Sequence, residues 1–517
     1  MLMKKITKSS TTFKKMHRWP GLFIAFVLLY FAVSGIVMNH RDLFSCIDIS
    51  RSVLPKNYRF QNWNNAAIKG NTTISPDSIL VYGNIGIWLT DASFKTYISF
   101  NNGFIPGSDN RKIFDVHKDA NGNLYAATLF GLYAYDKQAK KWCSLDIDTN
   151  EKRFVGIESI GDTIYAINRS FLFKGKSKGI NTQFNRIELP TPNGYSKRVT
   201  LFSTIWQIHS GEILGFPGKL LVDLLGVVTI LLSLTGIAYF FFPSILTRFK
   251  KNKIQVNRIT TVGRWAINWH NKLGVWTFAL LIVVYFSGMF LRPPLLIPIA
   301  NTTLNPIKFT HLDQPNPWYD RLRDILYDAN LNSLLLSTSS GMYTLQKGSF
   351  KPIPVKFQPP VSVMGINVLQ KVDSSAFLAG SFSGLFLWHP NNPISVNYMT
   401  GEIDQGYTGG RPVGAYKISG MIKSPNQNLY VFDYDKGAIA LSSSRNFPPM
   451  PINVINDSPM SLWNVCLEIH TGRFFQNLLS DFYILLVPIA SLLSIMVVIS
   501  GFFLWKKKYR KTLQQQF

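Results

Sequence analysis

The sequence predicts an α-helical membrane bundle of four transmembrane helices, internally duplicated, which carries an all-β domain built from two insertions. Three observations support this fold class: four long apolar segments, basic flanks on one side of them, and short turn-separated strands in the segments between. The chain has 517 residues, of which 46% are hydrophobic and only 16% are charged. This composition excludes a disordered chain, and the length excludes a small soluble module.

Four apolar segments have the length of membrane spans. They are residues 22–38, 220–242, 273–291 and 482–505. Each is about 17–24 residues long, and a helix needs about 20 residues to cross a hydrocarbon core of about 30 Å. We therefore predict membrane-spanning helices at 20–40, 214–242, 269–292 and 470–505.

The net charge of +26 is concentrated in three stretches that flank the spans. Residues 1–19 and 243–268 each contain six Lys or Arg, residues 506–517 contain five, and none of these stretches contains an acid. Positive residues favour the cytoplasmic side, so both termini and the connector are predicted to be cytoplasmic. Segments 41–213 and 293–469 then lie outside the cytoplasm. Because the charge follows the hydropathy, it does not indicate a nucleic-acid partner.

The three cysteines, Cys46, Cys143 and Cys466, all fall in the segments predicted to lie outside the cytoplasm. Their spacing matches no zinc site. A disulfide between Cys46 and Cys466 would join the membrane ends of those two segments. The sequence gives this bridge little support, and we do not expect it to form.

An internal repeat relates the two halves of the chain. A shift of 253 residues places His17, Gly21, Ser34 and Gly35 on His270, Gly274, Ser287 and Gly288. A shift of 261 places residues 208–211 on 469–472, and a further slip of four matches Thr235-Gly236 with Ser500-Gly501. Both halves have the same orientation, which predicts a parallel repeat about an axis along the membrane normal. The small residues favour close approach of the helices.

Segments 41–213 and 293–469 contain recurring units of turn, short strand, glycine and second strand. Three clear units lie at 119–136, 328–345 and 373–388, and weaker ones surround 86–88, 162–173 and 428–441. A spacing of about 40–50 residues between such units is typical of propeller blades. We predict that three blade-like units from each half combine into one six-bladed propeller. Two half-propellers or an undifferentiated β-sandwich are the alternatives.

Four of the eight histidines belong to the repeat. His17 and His270 fall at the predicted cytoplasmic ends of spans, and His209 and His470 at the outer ends. Ionisable side chains at membrane depth are costly and indicate function. Neutral imidazole offers a lone pair that suits haem iron, and two facing imidazoles give a six-coordinate haem that favours electron transfer over oxygen binding. The alternative is that each histidine only anchors its helix at the interface.

Distance limits how these histidines pair. A span of about 25 residues separates its ends by roughly 35–40 Å, so one haem cannot use an inner and an outer ligand. Symmetry predicts that His17 pairs with His270 near the cytoplasm and His209 with His470 near the outer face. Two stacked haems would then cross the bilayer. The sequence has no Cys-x-x-Cys-His motif, so both haems would be of the b type.

Several residues near these histidines are further candidates. His40 has no counterpart in the second half, where Pro293 aligns, and is either another outer ligand, a substrate-side group or a helix cap. Charged neighbours that would bind haem propionates, or equally lipid headgroups, are Arg18, Lys219, Lys272 and Arg473. Lys219 and Asp223, one turn apart, are predicted to pair. The histidines that fall in predicted loops are His117, His311 and His389.

At these residues the chain resembles the PepSY-associated transmembrane family, which includes bacterial inner-membrane reductases of ferric siderophores. The matching motifs are Met-His-Arg-Trp-Pro-Gly at 16–21, Ser-Gly at 34–35, Asn-His-Arg at 39–41, Ile-His-Ser-Gly at 208–211, Trp-His-Asn-Lys-Leu-Gly at 269–274 and Ile-His-Thr-Gly at 469–472. The resemblance implies b-type haem held by membrane histidines and electron delivery to ferric iron in the periplasm. The chain departs from the family pattern in its exported segments, which show no clear PepSY domain.

We therefore expect a di-haem oxidoreductase of the bacterial inner membrane that acts in iron acquisition. Its electrons would come from a cytoplasmic donor or a membrane quinone, and its acceptor would be a ferric siderophore, haem or a similar chelate. Reduction aids release because Fe(III) is held more tightly than Fe(II) by oxygen donors. The alternative is a haem-free, membrane-anchored propeller that docks an iron or nutrient uptake system.

Overall fold

The computed structural model describes residues 2–250, 253–300, 302–346, 348–362, 365–405, 413–441 and 446–514. The chain divides into two compact units. The helical unit comprises Met1–Phe44, Lys197–Gln314 and Leu462–Phe517, and the β unit comprises Ser45–Ser196 and Pro315–Ser461. Each unit therefore draws on segments that are far apart in the sequence.

The helices differ widely in length, and the longest lie in the helical unit. In chain order they are α1 (Leu2–Asn39), α2 (Arg41–Phe44), α3 (Leu201–Ser210), α4 (Gly215–Arg248), α5 (Lys253–Trp276), α6 (Phe278–Met289), α7 (Leu296–Ala300), α8 (Ile452–Asn456), α9 (Leu462–His470), α10 (Gln476–Leu479) and α11 (Tyr483–Gln514).

Three helical stretches are long and apolar enough to cross a membrane. They are Thr12–Asn39, Glu212–Arg248 and Arg473–Lys508. Helices α5 and α6 meet the same test only together, and they bend by 69° at their junction. The described residues thus contain three candidate spans, or four if the bent pair is one span. A chain of this kind, with several apolar helices, contacts the lipid bilayer.

The bend corrects the prediction of one continuous span at 269–292. Thr277 separates α5 from α6, and its hydroxyl donates a hydrogen bond to the Leu273 carbonyl at 2.7 Å. Such bonds to the carbonyl four residues earlier bend helices. The predicted cytoplasmic loop 243–268 is also largely helical, because α4 runs to Arg248 and α5 begins at Lys253.

The outer histidines lie at the ends of separate short helices rather than at the ends of the long spans, which corrects the sequence interpretation. Gly211 follows α3 and Gly472 follows α9, with φ of 80° and 77°. Glycine enters this left-handed region without steric cost and ends helices. The predicted span 470–505 therefore becomes continuous helix only from Tyr483, the start of α11.

The long helices pack reciprocally between the two halves of the chain. Helix α1 packs against α4, α9 and α11, while α6 packs against α11 and α3, and α5 against α4. Under the repeat, α1 corresponds to α5 and α6, α3 to α9, and α4 to α11. Each contact in this set therefore has a counterpart in which the two halves exchange roles.

The β unit is all-antiparallel and consists of many small sheets. Three sheets come from the first half: β2 (Gly70–Ser75), β3 (Ser78–Gly83), β4 (Gly86–Thr90) and β5 (Tyr97–Ser99); β6 (Ile113–Lys118), β7 (Leu124–Thr128), β8 (Gly131–Asp136) and β9 (Lys141–Ser144); β10 (Phe154–Ile160), β11 (Thr163–Asn168), β12 (Leu172–Lys176) and β13 (Phe184–Ile187).

The second half supplies three more sheets of the same kind. They are β16 (Leu322–Asp328), β17 (Ser333–Thr338), β18 (Gly341–Gln346) and β19 (Pro352–Pro354); β20 (Ile366–Lys371), β21 (Phe377–Ser381), β22 (Gly384–Trp388), β23 (Ile394–Asn397) and β24 (Ile403–Gln405); β25 (Ile418–Lys423), β26 (Leu429–Asp433) and β27 (Gly437–Ala440). Two short pairs are β1 (Asp48–Ile49) with β28 (Met460–Ser461), and, in the helical unit, β14 (Val199–Thr200) with β15 (Thr303–Leu304).

The first strands of successive sheets contact one another. These contacts run from β2 to β6, β10, β16, β20 and β25, and β25 also contacts β2. The six sequence units fall on the hairpins that follow these strands; units 119–136 and 373–388, for example, contain β7–β8 and β21–β22. Sheets of three to five strands in the described residues are not the two large sheets of a sandwich.

Four fully buried tryptophans of the β unit each donate a hydrogen bond to a backbone carbonyl. Trp63, Trp142, Trp318 and Trp388 donate indole hydrogen bonds of 2.7–3.1 Å to the carbonyls of Pro448, Phe100, Pro190 and Phe357. Each tryptophan buries about 150–250 Å² of surface while its N–H stays satisfied.

The three cysteines are free thiols.

Three carboxyl groups lie together on the first strands of neighbouring sheets. Asp115 on β6 accepts the Ile157 N–H of β10 at 2.8 Å, and Glu158 on β10 accepts the Tyr327 N–H of β16 at 2.9 Å. Burial raises the pKa of both carboxyls. Burial and the nearby charges of Asp115 and Glu158 raise the pKa of Asp324 well above its usual value. Neutral carboxyls are therefore favoured here.

This carboxyl cluster predicts that acidification stabilises the β unit. A carboxyl whose pKa is raised by folding binds more protons folded than unfolded above pH about 4, so stability falls as pH rises through that window. We expect Asp324→Asn to flatten the fall. The measurement is thermal unfolding of the full chain in detergent, followed by tryptophan fluorescence from pH 5 to 8. Asp146→Asn, at an exposed position of the same unit, is the control; equal slopes in both variants would contradict the prediction.

Candidate functional site

Each repeated histidine of the helical unit binds a backbone carbonyl of another helix through Nδ1. For the predicted cytoplasmic pair, which we name the inner pair, His17 Nδ1 lies 2.9 Å from the Val497 oxygen of α11. His270 Nδ1 lies 2.9 Å from the Thr235 hydroxyl of α4 and hydrogen-bonds the Leu232 carbonyl. A carbonyl only accepts, so Nδ1 carries the proton and Nε2 keeps its lone pair.

The outer pair, His209 and His470, repeats this arrangement. His209 Nδ1 lies 3.0 Å from the Val284 oxygen of α6. His470 Nδ1 lies 3.0 Å from the Phe31 oxygen of α1. All four imidazoles are thus oriented by the same kind of bond, which fixes one tautomer and leaves Nε2 available as a ligand.

A Ser/Thr-Gly dipeptide lies beside each ring. The hydroxyl donates to the carbonyl three residues earlier, which is the same carbonyl that the histidine uses. The four sets, written as histidine, carbonyl and dipeptide, are His17, Val497 and Ser500-Gly501; His270, Leu232 and Thr235-Gly236; His209, Val284 and Ser287-Gly288; His470, Phe31 and Ser34-Gly35.

Glycine in these dipeptides makes room for the ring. A Cβ added at Gly501 or Gly288 would lie 2.8 Å from the Cε1 atom of His17 or His209, closer than real Cβ atoms approach. At Gly35 the corresponding distance to His470 is 3.2 Å, and at Gly236 the distance to His270 is 3.5 Å. The sequence interpretation, close approach of helices, missed that these glycines admit imidazoles. The signal was present, because the dipeptide and the histidine repeat together.

The structure brings the histidines together in two pairs. The ring centroids of His17 and His270 lie 6.2 Å apart, and those of His209 and His470 lie 6.0 Å apart. Each pair contains one histidine from each half of the chain. His17 and Ser34, which contacts His470, lie 17 residues apart on α1, so the pairs are about 26 Å apart along the helix axis. This separation is comparable with the thickness of a bilayer hydrocarbon core, about 30 Å.

The donor set of each pair fits a haem, because two neutral imidazoles with free Nε2 lone pairs would hold its iron. In the part of the chain that the structure describes, no three His, Cys, Asp or Glu side chains form a metal site. Each pair would supply two ligands, the number that a porphyrin, with its own four nitrogens, leaves to the protein.

His40 lies in a different environment. Its Nε2 is 2.7 Å from Asp223 Oδ2 on α4, and Asn39 donates to the other oxygen of Asp223 at 2.8 Å. The predicted Lys219–Asp223 pair is therefore wrong, and Lys219 instead lies 2.5 Å from Glu212. Asp223 joins α1 to α4, and the contact occupies Nε2 of His40, one of the two ring nitrogens through which imidazole binds metals.

The basic candidates all have protein partners. Arg18 lies over the Phe240 ring at 4.9 Å, Lys272 lies over Trp269 at 5.4 Å, and Arg473 is 2.5 Å from Glu468. The sequence analysis missed Arg292, four residues after Gly288, which hydrogen-bonds Tyr483. The Nε atoms of Arg292 and Arg473 are buried without a hydrogen-bond partner, so this end of the helical unit retains unused donors.

The remaining histidines do not join either pair. His117 lies in strand β6, not in the predicted loop, and its Nε2 is 2.8 Å from the Ser159 hydroxyl. His311 and His389 fall outside the helices and strands, as expected. Only the histidines that belong to the internal repeat form the two pairs in the described residues.

A family model described as the PepSY-associated TM region matches residues 2–242 and 244–508. The chain belongs to this family. Together with the candidate spans, this makes it a membrane protein. The two matched segments meet where the internal repeat divides the chain. No curated protein is significantly similar to it.

Solved structures resemble the chain only weakly. The extracellular domain of a hybrid two-component system from B. thetaiotaomicron is 12% identical over 75% of this chain and 40% of that chain, with a TM-score of 0.33. A GH74 xyloglucanase from Xanthomonas campestris gives 8% identity, 74% and 46% coverage, and 0.34. Streptogramin B lyase gives 6%, 73% and 95%, and 0.35. This chain thus spans less than half of the first of these, and no argument follows from scores this low.

Proposed function

We propose that this protein is a di-haem membrane oxidoreductase that passes electrons outward across the bacterial inner membrane and reduces ferric chelates in the periplasm. The observation that supports it most is the facing of two histidine pairs, with ring centroids 6.2 and 6.0 Å apart and every Nδ1 bound to the protein. An anchoring role for these histidines requires neither the pairing nor the shared tautomer.

The protein's own residues would hold and tune the cofactor. His17 and His270 would ligate one b-type haem, and His209 and His470 the other; each haem would supply one-electron chemistry. Hydrogen bonds from Nδ1 to carbonyls raise the basicity of the ligating nitrogen and fix the ring plane. Two imidazoles per iron leave no open position, which favours electron transfer. Arg292 and Arg473 carry the donors that propionates near the outer pair would use.

The direction of transfer rests on the basic flanks at 1–19, 243–268 and 506–517. With these flanks cytoplasmic, the inner pair receives electrons from a cytoplasmic donor or a quinone, and the outer pair delivers them to the periplasm. The acceptor would be a ferric siderophore, haem or similar chelate, in the service of iron acquisition.

We also propose that the β unit is a six-bladed propeller. The cyclic contacts of the first strands, from β2 through β25 and back to β2, support this arrangement. So does the uniform antiparallel order within each of the six sheets. Closing the ring protects the inner edges of the sheets from pairing with other chains.

Removal of one ligand should cost one haem. We expect His17→Ala and His470→Ala each to lose about half of the bound haem, and the double variant to lose nearly all of it, because each pair ligates one iron. The measurement is pyridine haemochrome content per protein, with the dithionite-reduced Soret spectrum. His389→Ala, in the β unit, is the control. Correctly folded wild-type protein that stays colourless when made with ample haem would instead favour the haem-free docking module.

Adding a side chain at the glycine beside a histidine ring should have the same effect as removing that histidine. Gly288→Ala places a methyl group 2.8 Å from His209, so the ring has to move and the outer haem should be lost. Gly274→Ala is the matched control, because its Cβ would meet only Leu232 Cδ2 at an ordinary 3.8 Å. The measurement is again haem per protein, with near-normal content expected in the control. Full haem content in Gly288→Ala would show that haem binding does not depend on the position of the His209 ring beside Gly288.

A further inference from the structure

The β unit carries a cluster of positive charges where the first strands of neighbouring sheets begin. Its members are Lys69, just before β2, Lys112, just before β6, Arg153, just before β10, and Arg323, in β16; we name them the basic cluster. The strands β2, β6, β10 and β16 contact one another in this order. All four side chains are half-buried, so they keep access to solvent.

The contacts between neighbouring strands bring these cations to adjacent strand starts, where their charges interact. Lys69 reaches from β2 to the next sheet, where its Nζ lies 3.8 Å from the centre of the Phe114 ring. Burial holds the pKa of Lys69 well below its usual value, and the charges of Lys112 and Arg153 lower it further. Burial, with Arg169 and Arg153 nearby, lowers the pKa of Arg323 to about 9. The charged neighbours of Lys69 are thus other cations, while Arg323 has two cations and the Asp320 carboxylate nearby.

Acids do not form ion pairs with two members of the cluster. In the described residues no carboxylate lies within ion-pair distance of Lys69 or Arg323. Arg323 donates through Nη1 to the carbonyls of Asp320 and Leu322, while its Nε is buried without a partner. Asp320 pairs with Arg169 at 2.8 Å instead. The guanidinium of Arg323, whose pKa stays at about 9, therefore retains its positive charge at neutral pH together with a free buried donor.

Farther along the same strands the ionisable side chains are acids instead of bases. Asp115 lies three residues after Lys112, Asp324 follows Arg323, and Glu158 lies five residues after Arg153. These carboxyls supply no positive charge, so the attraction for an anion is confined to the strand starts. A site with several Lys and Arg donors beside solvent suits carboxylates, which accept charge-assisted and bidentate hydrogen bonds.

We propose that the basic cluster binds a small, multiply charged carboxylate anion, either free or as the ligand shell of a metal chelate. The site is preorganised, because the strands hold the cations together before an anion arrives. Its identification with the iron chelate rests on the proposed function, whereas anion binding itself does not require haem.

Calorimetry on the full chain in detergent tests the site with two probes, citrate and Ga(III)-citrate. Ga(III) carries the charge of Fe(III) but is not reduced, so binding is measured without electron transfer. We expect Lys69→Met to weaken binding about tenfold or more, since one charge-assisted contact is lost. Lys152→Met, at an exposed lysine next to Arg153, makes the same change in net charge and should bind as the wild type does.

Thermal unfolding without ligand separates loss of the site from loss of the fold. Lys69→Met removes a half-buried like charge, so it should unfold at a higher temperature than the wild type and gain less from added anion. Failure of both probes to bind the wild type, or equal binding by Lys69→Met, overturns the proposal. Stronger binding of Ga(III)-citrate than of citrate assigns the site to chelates, and equal binding assigns it to the free carboxylate.

Haem content keeps this test distinct from that of the proposed function. Colourless protein that binds either probe supports the anion site and removes the oxidoreductase. Haem-loaded protein that binds neither probe removes the anion site and leaves the electron path in place.

Discussion

The helical unit depends on one contact: an imidazole Nδ1–H that donates to a helix carbonyl beside a glycine. The carbonyls of Val284 and Val497 each accept a serine hydroxyl as well as a histidine. The hydroxyl belongs to the residue before the glycine, so two functions fall on adjacent positions. The serine or threonine hydroxyl donates a hydrogen bond to the carbonyl. The glycine has no side chain that would exclude the imidazole ring. With the tautomer fixed, the other nitrogen keeps its lone pair.

The exchange of partners between halves gives the duplication a physical role. His17, from the first half, binds α11 of the second half. His270, from the second half, binds α4 of the first half. The outer pair is crossed in the same way. Neither half alone contains both histidines of a pair, or a histidine together with the carbonyl and the Ser/Thr-Gly dipeptide that it contacts. A paired site of this kind therefore cannot form in half of the protein.

The parts of the fold that follow from local periodicity could be predicted from the sequence. Apolar runs marked the spans, and glycine-centred units marked the hairpins of all six sheets. What depends on tertiary competition could not. Asp223 has Lys219 one turn away on its own helix, yet His40 and Asn39 of α1 bind it. Thr277 looked like an ordinary residue within an apolar run, but α5 and α6 bend there by 69°. The Ser/Thr-Gly dipeptides were recognised, but their contact with imidazoles required the partner helix.

The segregated charges of the β unit are not a necessary consequence of its fold. Elsewhere in the same unit opposite charges meet, as Arg111 does with Asp457 at 3.1 Å and Lys371 with Asp328. At the first strands, however, Lys69 and Arg323 face other cations while Asp324 faces other carboxyls. Alternating these groups would replace repulsion between like charges by attraction between opposite ones. A fold that keeps them apart retains a positive region which an anion, rather than a side chain, can neutralise.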